Sequence, residues 1–244
     1  MLLALFLIDL AAGLYIFLPL VGRRNAGVKF YRLVLIFSGT LAICAAIAHW
    51  LSHAAVTGDA ILIVLTTIVY ALLRYPKRLI FRMPAALLGI AYLAGGAMSW
   101  RIATGGSWPW SIAGALASIA LLGSVNLAML LGHWYLVVRG MSIDPLRRLT
   151  IATLAAVLVR AIVVGCALIV PGVWAAVAIR QGIFFWMRAG WGLVGPLALF
   201  PMVWGTVKIR STMAATGILY VDVVAVVIGE VLGGWLAAVA HVPV

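Results

Sequence analysis

The sequence predicts an all-α integral membrane protein, a bundle of about eight transmembrane helices with short loops. Of the 244 residues, 66% are hydrophobic and only 9% are charged, and the mean hydropathy is +1.24. Soluble domains contain about 45–50% apolar and about 25% charged residues. This composition therefore excludes a soluble globular enzyme, a disordered chain and a nucleic-acid-binding domain. Apolar stretches occupy nearly the whole chain, so we expect one transmembrane domain over residues 1–244.

Eight apolar stretches are candidate membrane spans, because a spanning helix needs about 20 mostly apolar residues. They cover residues 2–21, 33–54, 60–74, 83–100, 109–138, 149–170, 183–206 and 213–237. The third stretch is short, and extension into the basic segment after it would complete the span. The seventh contains Gly190, Gly192, Gly195, Pro196 and Pro201, so we expect a broken helix there. Such breaks often mark a binding site, although a simple packed kink is the plainer interpretation.

The basic residues predict the orientation of these helices. Most of the 17 Lys and Arg residues follow predicted helices 1, 3, 5 and 7. These cations are Arg23, Arg24, Lys29, Arg32, Arg74, Lys77, Arg78, Arg82, Arg139, Arg147, Arg148, Lys208 and Arg210. Because positive loops stay in the cytoplasm, we expect an inner (plasma) membrane protein with both termini outside. Most tryptophans then map near the outer interface, namely Trp50, Trp100, Trp108, Trp110, Trp174, Trp186, Trp191 and Trp235.

The two halves of the chain, residues 1–107 and 108–244, show a faint likeness. The tripeptides 9–11 and 126–128 differ only in Asp9 against Asn126, and each precedes an arginine by a similar spacing. Both halves are expected to start outside, so a duplication would give two parallel four-helix halves. On the last helix, Gly229 and Gly233 form a GxxxG pattern, which predicts close helix packing.

Five ionisable residues within the predicted spans are candidates for a proton or ion path: Asp9, Arg160, Arg188, Asp222 and Glu230. At a rise of 1.5 Å per residue, Arg160 and Asp222 lie at matching depths, so we expect them to pair. Arg188 and Glu230 are expected to meet near the outer side. Structural bridges that fix helix register are the plainer interpretation. Asp9 has no obvious cation at its depth. It is either a candidate proton carrier, since burial favours the neutral carboxyl, or hydrogen-bonded to a backbone group or Asn126.

Histidines near the outer side suggest a cofactor site. His49 and His53, four residues apart, share one helix face, and His241 and Asp59 should also lie outside. These four residues are candidate metal ligands, because imidazole binds Zn, Cu and Fe. Alternatively, His241 and one of the paired histidines are candidate axial ligands of a b-type haem, with Arg188 or Arg180 near its propionates.

These patterns leave three classes of function open, and no motif identifies an enzyme activity. The first is a membrane-embedded redox subunit for electron transport, binding a haem or quinone near the outer leaflet. The second is a small proton- or ion-coupled transporter that uses the buried charges. The third is a non-catalytic accessory subunit whose short loops contact other membrane subunits. We expect the lipid bilayer among the partners of this protein, and no nucleic acid.

Overall fold

The computed structural model describes residues 1–75, 79–138 and 140–244, and the predicted loop cations Lys77, Arg78 and Arg139 lie outside them. The described chain contains helices and no strand. The α-helices are α1 (Leu2–Val21), α2 (Arg23–Leu51), α3 (Thr57–Leu72), α4 (Leu79–Thr104), α5 (Trp108–Val137), α6 (Asp144–Ile169), α7 (Gly182–Ala189), α8 (Gly195–Lys208) and α9 (Thr212–Ala240).

Seven helical segments of the described chain are long and apolar enough to cross a membrane, with α7 and α8 together forming one of them, Gly182–Lys208. Helix α3 is apolar but has only 16 residues, about 24 Å at the α-helical rise. The predicted class, an all-α multi-pass membrane protein, is confirmed, and its third span is short as expected. Large apolar side chains such as Ile36, Ile43 and Ile47 remain exposed on α2, which is expected for a surface in contact with lipid.

The seventh span keeps a helical backbone from Gly182 to Lys208, and a π-helical turn, Gly190–Val194, lies between α7 and α8 where the sequence predicts a broken helix. Pro196 follows this turn at the start of α8. Because proline has no backbone N–H, it removes one hydrogen bond to the turn before it. Single π turns inside helices are frequent at functional sites. A second π-helical segment, Ala175–Ile179, precedes α7.

With α7 and α8 counted as one span, the helices form two groups of four that meet along α1 and α5. In the first group α1 contacts α2, α2 contacts α3, α3 contacts α4, and α4 returns to α1. In the second group α5 contacts α6, α6 contacts α8, α8 contacts α9, and α9 returns to α5. The same order of neighbours occurs in both halves, while a duplication of the chain stays a prediction. We call the end that carries Arg23, Arg74, Arg148 and Lys208 the basic end of the bundle.

Two glycines allow the halves to approach closely. A Cβ atom on Gly13 of α1 would collide with the backbone of Gly123 on α5 and with the carbonyl oxygen of Ile119. A Cβ atom on Gly123 would likewise collide with the backbone of Gly13. Small residues are the usual means by which membrane helices pack backbone to backbone. The contact brings α4, α6 and α9 close enough for the buried charges of both halves to meet.

Candidate functional site

Two arginines share one carboxylate in the interior of the bundle. The Nε atom of Arg160 on α6 donates to Oε1 of Glu230 on α9 at 3.0 Å. The Nη2 atom of Arg188 on α7 donates to the same oxygen at 3.0 Å. All three side chains are at most 1% exposed. The predicted pair of Arg188 and Glu230 is confirmed, and it belongs to a larger cluster.

The predicted pair of Arg160 and Asp222 is wrong. The prediction placed the start of the sixth span at residue 149, whereas α6 begins at Asp144. Counted from there, Arg160 lies about 24 Å along its helix. On α9, which begins at Thr212, Glu230 lies about 27 Å and Asp222 only about 15 Å along. Arg160 is therefore level with Glu230.

Asp222 lies apart from the cluster, closer to the basic end. It is 3% exposed and lines a small pocket with Thr150, Thr153 and Phe200, among others. Its Oδ1 atom has no hydrogen-bond partner among the described residues. The five predicted intramembrane charges therefore do not form one continuous set: four come together and Asp222 stands alone.

Asp9 joins the cluster from the first half of the bundle through a tryptophan. The indole Nε1 of Trp100 on α4 donates to Oδ2 of Asp9 at 2.7 Å. The face of the same indole carries the Arg160 guanidinium, whose Cζ atom is 5.4 Å from the ring centroid. Ser118 on α5 lies near the carboxyl groups of both Asp9 and Glu230. The site is thus built from both halves.

This role of Trp100 was not predicted from the sequence. Its position near a helix end predicts an interfacial side chain, but Trp100 is 1% exposed, whereas Trp50, Trp108 and Trp186 do remain exposed. A buried indole N–H usually finds an acceptor, and the acidic residue of α1 is that acceptor. The alternative partner, Asn126, instead donates to the carbonyl oxygen of Leu122 at 2.8 Å.

Glycines provide the space for the Arg188 guanidinium. A Cβ atom on Gly192, in the π-helical turn, would collide with Nη1 of Arg188 and with Gly229 of α9. A Cβ atom on Gly233 would lie 2.7 Å from Nε of Arg188 and 2.9 Å from the carbonyl oxygen of Val244. Arg188 donates to that carbonyl oxygen at 3.4 Å. The predicted GxxxG pattern therefore packs against the broken span and also accommodates a buried cation.

Several buried polar atoms of the cluster have no hydrogen-bond partner among the described residues. The unpartnered donors are Nη1 and Nη2 of Arg160 and Nη1 of Arg188, and the unpartnered acceptors are Oε2 of Glu230 and Oδ1 of Asp9. Buried polar groups are nearly always paired in native proteins, with protein, water or a ligand. The cluster therefore retains hydrogen-bonding capacity for a small polar species.

An apolar cleft of about 360 Å³ reaches the same carboxylate from the surface of the bundle. It lies between the first turns of α1 and the last turns of α9. Leu5, Phe6, Glu230 and Trp235 are among its lining residues. Since its walls are almost entirely apolar, the cleft suits an apolar molecule better than an ion.

The candidate metal and haem ligands do not come together as one group. Nδ1 of His49 lies 2.7 Å from Oδ2 of Asp59, and both residues are buried. His241 bonds through Nδ1 to the carbonyl oxygen of Thr104, and His53 is exposed. Within the described ranges, no three His, Cys, Asp or Glu residues are placed to hold a metal ion.

The cavity beside His49 and Asp59 is small. It has a volume of about 240 Å³, below the range of about 300–1,000 Å³ typical of drug-sized ligands, and a porphyrin is larger still. Arg180, a predicted propionate partner, is exposed. These residues as placed fit water or a small ion better than a haem.

Comparisons with known protein families, curated proteins and solved structures find no match to this chain.

Proposed function

We propose that this protein is a small proton-coupled membrane carrier for an anion, and that Asp9, Arg160, Arg188 and Glu230 form its central binding site. The observation that supports this best is the buried cluster itself, in which two guanidinium groups share one carboxylate and retain unpartnered N–H groups. Ionisable residues inside a membrane are costly and usually functional.

The position of the cluster favours a carrier over a purely structural bridge. Transporter sites lie near the junction of two repeat halves and are typically formed by discontinuous helices. Here α1 and α4 contribute Asp9 and Trp100, while α6, α9 and the seventh span with its π-helical turn contribute the rest. A bridge that only fixed helix register would need neither the second arginine nor the π-helical turn beside it.

The charges suggest how an anion and a proton would be coupled. Glu230 and an incoming anion compete for the same two guanidinium groups. Protonation of Glu230 removes its charge, frees both arginines and thereby favours binding of the anion. By linkage, a bound anion favours protonation of Glu230 to the same extent. The site would therefore carry the two together, as a symporter does.

The orientation of the carrier belongs to the same proposal. The described cations that follow α1, α3 and α8 lie at the basic end, and positive loops mark the cytoplasmic side of a plasma membrane. The cluster, in the half of the bundle away from the basic end, would then lie closer to the outer surface. Substrate would reach it from outside first.

Reconstituted vesicles test the proposal. Gradients of phosphate, sulfate and oxalate would be imposed across proteoliposomes containing a trapped pH-sensitive dye, with the membrane potential clamped by potassium and valinomycin. At least one gradient should acidify the lumen, and Glu230→Gln should reduce the initial rate at least tenfold. Asp144→Asn, which removes an exposed carboxyl group at the basic end, is the matched control and should keep the rate. If no gradient moves protons through the folded wild-type protein, the carrier proposal is wrong.

The apolar cleft favours a second candidate, the quinone form of the redox subunit. A quinol in the cleft between α1 and α9 would donate a hydrogen bond from its hydroxyl group to Oε2 of Glu230, which is buried and has no partner among the described residues. A short-chain quinol, kept reduced, should then raise the thermal stability of the detergent-purified protein, and Leu5→Trp, which narrows the cleft, should abolish that effect. Equal stabilisation of wild type and Leu5→Trp would count against this site.

A further inference from the structure

A further cavity, separate from the charge cluster and from the pockets described above, lies within the first group of helices. Its volume is about 450 Å³, within the range of about 300–1,000 Å³ of ligand pockets. All four helices line it, through Tyr15 of α1, Tyr31 of α2, Val69 of α3, and Phe81 and Gly89 of α4, among others. Several lining residues of α1 and α4 are partly exposed, so the cavity reaches the surface of the protein.

The walls of this cavity offer little hydrogen bonding to a ligand. The hydroxyl group of Tyr15 donates to the carbonyl oxygen of Ala85 at 2.7 Å, and that of Tyr31 donates to the carbonyl oxygen of Leu18 at 3.1 Å. The remaining lining residues are aliphatic, aromatic or glycine. An apolar chain therefore matches the interior better than a polar molecule.

The cation Arg23 lies next to the cavity, on the side of the basic end. The Nη2 atom of Arg23 donates to the carbonyl oxygen of Leu73 at 2.7 Å. The guanidinium carbon lies 5.7 Å from the ring centroid of Tyr31 and 5.9 Å from that of Phe81. Leu73, Tyr31 and Phe81 all line the cavity, whereas Arg23 does not, so the guanidinium group lies behind these wall residues and next to the cavity.

Among the described residues, the guanidinium group has neither a counter-charge nor a partner for one of its donors. Its Nη1 atom is buried without a hydrogen-bond partner among the described residues. No carboxylate of the described ranges lies within ion-pair distance of Arg23. The neighbouring cations Arg24, Arg74 and Arg82 are exposed around it. Basic pockets between membrane helices are suited to anionic lipid headgroups.

We propose that this cavity binds one acyl chain of an anionic phospholipid, with the headgroup phosphate beside the guanidinium group of Arg23. The apolar walls supply the fit for the chain, and the guanidinium group supplies the preference for negative charge. The site lies in the half of the bundle that contributes only Asp9 and Trp100 to the charge cluster. It does not depend on the proposed carrier activity.

Native mass spectrometry of the detergent-purified protein tests the proposal, with dioleoyl phosphatidylglycerol, dioleoyl phosphatidylcholine and glycerol 3-phosphate as probes. One phosphatidylglycerol should bind at least tenfold more tightly than phosphatidylcholine. Arg23→Gln should remove that preference, and Gly89→Leu should abolish binding of both lipids. A Cβ atom on Gly89 would be in ordinary contact with Tyr15, at 3.8 Å, so the backbone can accept the substitution while the longer side chain occupies the cavity.

Two matched controls separate this site from general surface effects. Arg24→Gln removes an adjacent, exposed cation, and Gly165→Leu adds the same side chain where a Cβ atom meets nothing within 4 Å. Both should bind like the wild type. Three results would each overturn the proposal. They are equal affinity of the wild type for the two lipids, an equal loss of the preference for phosphatidylglycerol in Arg24→Gln and Arg23→Gln, and unchanged binding in folded Gly89→Leu. Tight binding of glycerol 3-phosphate alone would show that the anion, and not an acyl chain, is the ligand.

Discussion

Replacing Glu230 with glutamine should destabilise the protein more than replacing either arginine. The carboxylate accepts a hydrogen bond of 3.0 Å from each of Arg160 and Arg188. Glu230→Gln leaves two buried cations without an anion, and breaking a buried ion pair in this way costs about 3–5 kcal/mol. Arg188→Met leaves the pair of Arg160 and Glu230 intact. It removes the charge-assisted hydrogen bond to the carboxylate, which costs about 1.5–3 kcal/mol, and a longer one of 3.4 Å to the carbonyl oxygen of Val244.

The two variants should therefore differ by about 2 kcal/mol, or about 30-fold in the unfolding equilibrium constant. Equilibrium unfolding of the purified protein in mixed micelles with SDS measures this difference directly. The double variant completes a double-mutant cycle and provides a second check. Adding Arg188→Met to Glu230→Gln halves the uncompensated positive charge, so it should recover part of the lost stability.

Two results would refute this reasoning. Equal destabilisation by Glu230→Gln and Arg188→Met would mean that the carboxylate does not hold two cations in a medium of low polarity. Additive losses in the double variant would mean that Arg188 and Glu230 are not energetically coupled. Asp144→Asn, at an exposed position, should cost less than about 1 kcal/mol and controls for loss of a carboxyl group as such.

Three further predictions follow from the packing and can be measured by the same unfolding assay. Gly13→Ala should destabilise by about 1–3 kcal/mol, because its methyl group collides with backbone atoms of α5, while Gly165→Ala, in open space, should not; similar losses would argue against the close helix contact. Trp100→Phe should cost about 1–3 kcal/mol, because a buried acceptor loses its donor; no loss would mean that the indole hydrogen bond is absent. The losses of unfolding free energy caused by Arg160→Met and Asp222→Asn should add within about 0.5 kcal/mol in the double variant. A coupling energy above about 1 kcal/mol would instead support the pairing of Arg160 with Asp222 that was predicted from the sequence.

The composition and spacing of residues determined the class of the protein and the approximate course of its chain. Inside a bilayer every backbone polar group must be bonded within the protein, so long apolar segments become helices whatever surrounds them. The irregularity in the seventh span could also be predicted, because Gly190, Gly192 and Pro196 lie close together in the sequence. The pair of Arg188 and Glu230 could be predicted, since both lie at similar depths on helices joined by one short loop.

Only the tertiary structure decided which side chains meet across helices that are distant in sequence. An error of five residues in the start of α6 displaced Arg160 by about 8 Å along its axis, enough to assign it to Asp222 instead of Glu230. The hydrogen bond between Trp100 and Asp9, and the cavity beside Arg23, likewise depend on helix positions and tilts that hydropathy does not encode. Hydropathy reports the solvent around each helix, whereas the register between helices is set by close contacts such as Gly192 against Gly229, which exist only when the whole bundle is packed.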